Sequence, residues 1–211
     1  MISRYTFVIG LLLIAASPVA NASLMKFDFS GTIVAPFPDD GSPAGGEFSG
    51  YFILDPLVPD VRPEAGNAFY DHSVVDANVV VNGEWYSFAA GSGDNVYVLN
   101  DAEVFHDLFA ILVDFENLAG TSMTLSLQFG DSSETVFDSD AFPTFFDLSL
   151  FDEFQVDNAN GTGAFFIYGG GDVQGSIDFA RLTAVPVPAA LWLMAGGLGM
   201  FLGFARKRTA I

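Results

Sequence analysis

The chain contains no cysteine. That excludes disulfides, thiolate nucleophiles and cysteine-ligated zinc, so burial of apolar surface must hold the fold. Basic residues are almost as scarce, with seven Lys and Arg against 26 Asp and Glu in 211 residues. Between residues 23 and 184 only Lys26, Arg62 and Arg181 are basic, while all 26 acids lie there, so three against 26 leaves a net charge of −23. A surface of that sign repels phosphodiesters and anionic lipid, which argues against a nucleic-acid partner. Histidine is limited to His72 and His106, which leaves little for histidine-dependent acid–base chemistry.

Helical periodicity is also hard to find between residues 23 and 184, and strict alternation takes its place. Met123, Leu125, Leu127 and Phe129 alternate with Thr124, Ser126 and Gln128; Val173, Gly175, Ile177 and Phe179 alternate with Gln174, Ser176 and Asp178. A period of two puts one side of a strand on a core and the other in water. Further strands are expected at 26–34, 48–54, 74–81, 85–89, 95–99, 108–115, 153–156 and 163–168. Turn chemistry separates them, as at Pro38-Asp39-Asp40-Gly41, Gly91-Ser92-Gly93-Asp94 and Asn160-Gly161. The strongest hairpin signal is Asn82-Gly83 between Val79-Val80-Val81 and Trp85-Tyr86. Many short strands without intervening helices predict an all-β body, an antiparallel sandwich or jelly roll, with a closed barrel as the alternative. Phe29-Ser30-Gly31 recurs as Phe48-Ser49-Gly50, which reads as two paired or neighbouring strands; most of the 23 Phe residues belong to the core by the same alternation.

The two ends are of a different kind. Residues 1–22 have the parts of a secretory signal peptide: Arg4, ten apolar residues at 7–16, and a small-x-small cleavage site at Ala20-Asn21-Ala22, so the mature chain is expected to begin at Ser23. Ten apolar residues are too few to span a bilayer, which takes about 20. At the other end the 21 residues 185–205 carry no charge. As a helix they would reach about 31 Å, close to the ~30 Å hydrocarbon thickness, which predicts one transmembrane helix. Arg206-Lys207-Arg208 just after it would stay in the cytoplasm, leaving residues 23–184 as an extracytoplasmic domain. Pro186 and Pro188 bias the preceding residues toward extended geometry, an accessible strip before the helix.

The run Val185-Pro186-Val187-Pro188-Ala189-Ala190-Leu191-Trp192-Leu193, the Gly-rich apolar stretch and Arg206-Lys207-Arg208 together resemble the PEP-CTERM sorting signal in its VPxPAAxWL form. Val187 stands where that family has a central Glu. The resemblance covers residues 185–208 and implies export in a Gram-negative bacterium that makes exopolysaccharide. It also implies cleavage of the tail near Val185, Pro186, Val187, Pro188 and Ala189 by an exosortase-like membrane enzyme, after signal peptidase has acted. The implied destination is the cell surface or extracellular matrix, after transient anchoring in the inner membrane.

Complete catalytic constellations do not emerge from the sequence. Gly130-Asp131-Ser132 has the form of the GDS start of some esterases, but those need a later histidine and none follows His106. No G-x-S-x-G elbow occurs. Oxygen-rich loops at Asp138-Ser139-Asp140 and around Asp157 are weak calcium candidates without EF-hand spacing, and no cofactor is otherwise expected. The expected function is a non-enzymatic surface or matrix protein. The rival is a glycan-binding module or glycosidase, based on Trp85, Tyr86 and Tyr97 beside acids, since ring faces stack on sugars and carboxylates accept hydroxyl hydrogens.

Overall fold

The computed structural model describes residues 24–36, 45–62, 64–89, 93–102, 106–152, 163–168 and 173–185. Among these, ten strands follow in chain order: β1 Met25–Pro36, β2 Glu47–Leu54, β3 Asn67–Asp71, β4 Val74–Val81, β5 Glu84–Phe88, β6 Asp94–Ala102, β7 His106–Asn117, β8 Ser122–Asp131, β9 Ala164–Tyr168 and β10 Val173–Ala184. The only helical element in the described residues is a single 3-10 turn at Leu148–Leu150. Expected strand 153–156 and the Asp157 loop lie outside the described residues.

Every pairing is antiparallel, and the ring β7-β5-β4-β2-β1-β10-β9-β8 returns to β7. The body is therefore a closed eight-stranded barrel, and the expected sandwich or jelly roll gives way to its alternative. Alternation tells each strand which side faces inward; it does not tell whether the last strand meets the first. Closure is made by Tyr86↔Asn117, Ser87↔Glu116 and Phe88↔Phe115. Because β8 occupies one edge of β7 along nearly its whole length, β5 and β6 share the other edge, and β6 diverges with β3 as a two-stranded flap.

On β1 and β8 alternation works as the sequence predicts, whereas on β10 a bulge turns Phe179 outward and Ser176 inward. On β1, Met25, Phe27 and Phe29 are buried while Lys26, Asp28 and Ser30 are partly exposed; on β8, Met123, Leu125, Leu127 and Phe129 are buried. The two Phe-Ser-Gly copies pair with each other in register: Phe29 lies opposite Gly50, Ser30 opposite Ser49, and Gly31 opposite Phe48. A methyl group at Gly31 would collide with the Ser176 carbonyl and the Phe48 ring, so the glycine makes the room that the phenylalanine fills.

One end of the barrel is stoppered from within by the segment after β8. Phe146 packs edge-on against Phe27 at 5.0 Å and Phe129 at 4.8 Å, and stacks on Phe151 at 4.9 Å. Such pairs each contribute about 0.5–1.5 kcal/mol beyond area burial. At the β4–β5 turn, Asn82 (φ 51°) and Gly83 (φ 82°) both take positive φ, the type I′ geometry that an Asn-Gly pair favours. Strand β3 was not expected. Its outward Phe69 sits between buried Ala68 and Tyr70, so the stretch lacks the apolar–polar contrast that marks a strand.

Candidate functional site

The structure distributes the residues singled out by sequence. Val185 is the last described residue of the sorting motif, and its N–H donates to the Leu24 carbonyl at 2.7 Å. Pro186, Val187, Pro188, Ala189, Arg206, Lys207, Arg208, Ala20, Ala22 and Ser23 lie outside the described residues. Among the described residues no helix is long and apolar enough to cross a membrane, and the expected span lies almost wholly beyond them. Of the calcium candidates, Asp140 accepts a hydrogen bond from the Gly66 N–H at 3.0 Å, and its backbone carbonyl accepts one from the Tyr70 hydroxyl at 2.9 Å. Asp138 is exposed, and among the described residues no group of three or more His, Asp or Glu is placed to share a cation.

The three aromatic residues proposed for sugar stacking are not brought together. Trp85 is 61% exposed on the outside of β5, whereas Tyr86 packs against the core and Tyr97 lies on Phe69 with ring centres 4.7 Å apart. Tyr97 pairs with Ala110 and Tyr86 with Asn117, positions seven residues apart on β7, or about 24 Å along an antiparallel strand.

The two histidines and Ser132 have local partners. His72 Nδ1 lies 2.9 Å from Asp94 Oδ1, and His106 Nδ1 lies 2.6 Å from Glu134 Oε1. The Ser132 hydroxyl donates to Asp152 Oδ2 at 2.8 Å, so it is held by a carboxylate and not by an imidazole base. The hydrogen bond from its ring N–H to Asp94 and the negative Asp71 and Asp94 raise the His72 pKa above its ordinary 6.5.

Three buried aspartates serve the fold. Asp107 accepts N–H bonds from Asp101, Val136 and Phe137 at 2.9–3.1 Å, tying the β6–β7 turn to the stopper segment. Asp131 is buried, which pushes its pKa up, but donors on Thr135 and Ser133 outweigh this and hold it below the ordinary carboxylate value. Asp94 accepts from Val74 N–H at 3.0 Å and links the flap to β4. Nothing in the sequence separates these three from the other 23 acids, because burial of a carboxylate follows from strand register.

A groove of about 630 Å³ opens on the outer face of the barrel, lined by Ser30, Gly31, Thr32, Glu47, Phe48, Ser49, Val80, Asn82, Gly83 and Asp178. Its floor carries hydroxyl groups. Thr32 Oγ1 lies 3.2 Å from Ser176 Oγ and donates to Asp178 Oδ2 at 3.4 Å. Register sets a transverse row, Trp85↔Val80↔Ser49↔Ser30↔Phe179, across β5, β4, β2, β1 and β10; Val80, Ser49 and Ser30 line the groove, whereas Trp85 and Phe179 stand outside it on strands half a ring apart. Both end members are exposed aromatics, Trp85 at 61% and Phe179 at 47%. The sequence carries half of this signal in the repeated Phe-Ser-Gly, whose serines meet at the centre of the row; Phe179 was expected on the core side, and the bulge where β1 and β10 lose register after Ser30 places it outside. No family model, no curated protein and no solved structure matches the chain.

Proposed function

We propose that this chain is an exported, non-enzymatic cell-surface or extracellular-matrix protein: its β-barrel body is the cargo, and its two terminal segments are the address. A signal peptide at 1–22 directs export, and a PEP-CTERM-like segment at 185–208 holds the body briefly by one transmembrane helix. An exosortase-like enzyme then removes that segment near Pro186 and Pro188.

The observation that carries this reading is where the barrel begins and ends. Met25 pairs with Ala184 on neighbouring antiparallel strands, and the Leu24 carbonyl accepts the Val185 N–H. Both proposed cuts, after Ala22 and next to Pro186, fall just outside the last paired residues among those described. Each cut would remove an address segment without taking a ladder hydrogen bond from the barrel.

The test is the intact mass of the chain recovered from each cell fraction of a polysaccharide-producing host, with and without its sorting enzyme. The expected result is a smaller, released form lacking the residues after the proline strip only when the enzyme is present. Identical mass and membrane retention in both hosts would refute processing.

A further inference from the structure

We propose that the stoppered end of the barrel rests on a zwitterionic lipid surface while the chain is anchored, with Phe145 and Leu150 entering the headgroup layer. This rests on the reading of residues 185–205 as one membrane span. Phe146 and Phe151 are buried in the barrel end and stack on each other at 4.9 Å. Their chain neighbours Phe145 and Leu150 are turned the other way, 71% and 49% exposed. The buried stack therefore holds two large apolar side chains close together on the outer side of the stopper, where an isolated exposed residue would need no explanation.

Register places this patch at the end from which the chain continues toward the span. Val74, Leu54, Met25 and Ala184 form one transverse row, at the start of β4, the end of β2, the start of β1 and the end of β10. Just inside that row Phe146 packs on Phe27 at 5.0 Å, and the Asp152 N–H donates to the Gly130 carbonyl at 3.0 Å, which returns the stopper to the end of β8. Exposed Leu57 follows Leu54 at the same end. Val185, bonded to Leu24 beside the row, is the first of 21 uncharged residues, so no spacer separates the barrel end from the run read as the span. Counting the hydrocarbon from Ala189 instead adds at most four extended residues, about 13 Å. A body held that closely presents this end to the interface, where Phe and Leu side chains are favoured.

Charge selects among occupants. Asp147 and Asp152 flank the patch and no basic residue lies between 132 and 152, which disfavours anionic headgroups. A second copy would bring another net −23 against the first.

The experiment uses the chain with its C-terminal segment intact, in phosphatidylcholine vesicles. Because the chain has no cysteine, Leu150→Cys supplies one thiol for an environment-sensitive fluorophore, and Leu118→Cys, at the opposite end of the barrel after β7, supplies the control. The expected result is a blue-shifted label at 150 that headgroup-nitroxide lipid quenches, an unquenched label at 118, and retention on the vesicles through an alkaline wash. Phe145→Asp in the chain labelled at 150 abolishes the quenching, with the thermal midpoint unchanged because the side chain is exposed. Retention without quenching at 150 overturns this proposal and leaves the span intact, whereas loss of the chain in the wash overturns both. A blue-shifted label that lipid does not quench would assign the patch to a protein surface. Quenching that is equal at 118, or that Phe145→Asp leaves unchanged, would place the lipid contact elsewhere. Each of these three results also overturns the proposal.

Discussion

At the scale of single residues, this acidic chain uses a few carboxylates as internal fasteners. Asp107 has no exposed surface and satisfies three backbone N–H groups, two of them on the stopper segment. Asp107→Ala leaves those donors without an acceptor, so it should lower stability by about 3 kcal/mol, read as a shift in urea midpoint at constant slope. His72 gives a pH signature of opposite sign to a carboxylate's. Its folded-state pKa is raised, so the stability it adds is fully present below the unfolded value near 6.5 and is lost as pH rises through the folded pKa. His72 has φ 57°, so His72→Asn is the matched variant, Asn being tolerant of that backbone. The stability difference between wild type and His72→Asn should shrink between about pH 5 and about pH 8; a difference that stays flat would dismiss the His72–Asp94 contact.

At the scale of elements, the barrel is unevenly closed. β7 and β8 pair over ten positions and β1 and β10 over eleven, whereas β5 meets β7 at three. β5 also carries no fully buried side chain: Tyr86 and Phe88 are partly exposed, and Trp85 is outside. Local opening takes the route with the fewest buried contacts, so the β5–β7 seam should open first. Hydrogen exchange should therefore show the amides of Glu84–Phe88 exchanging well before those of Ser122–Asp131. Equal protection of the two strands would mean that the ring opens only as a whole.

For the whole molecule, charge and connectivity agree with each other. With a net charge of −23 across residues 23–184, the body resists self-association and anionic surfaces. Its first and last described strands are neighbours, so Leu24 and Val185 lie side by side at one point of the barrel. That geometry is why a form cut at the two proposed positions should keep its fold: both lie outside the described pairing of β1 with β10.

The sequence by itself determined the all-β class, because period two is a property of each strand alone and survives whatever the strand pairs with. It determined the Asn82-Gly83 hairpin, since positive φ at two successive residues is a local demand, and its repeated Phe-Ser-Gly pointed to paired or neighbouring strands, which the structure resolves as paired with each phenylalanine opposite a glycine. The tertiary structure alone decided three things: that eight strands close into a ring, that Asp94, Asp107 and Asp131 are inside, and that Trp85 and Phe179 stand at the two ends of one row. Each of these depends on register between strands far apart in the chain. A one-residue slip in register reverses which side chains face outward, and no local pattern records it.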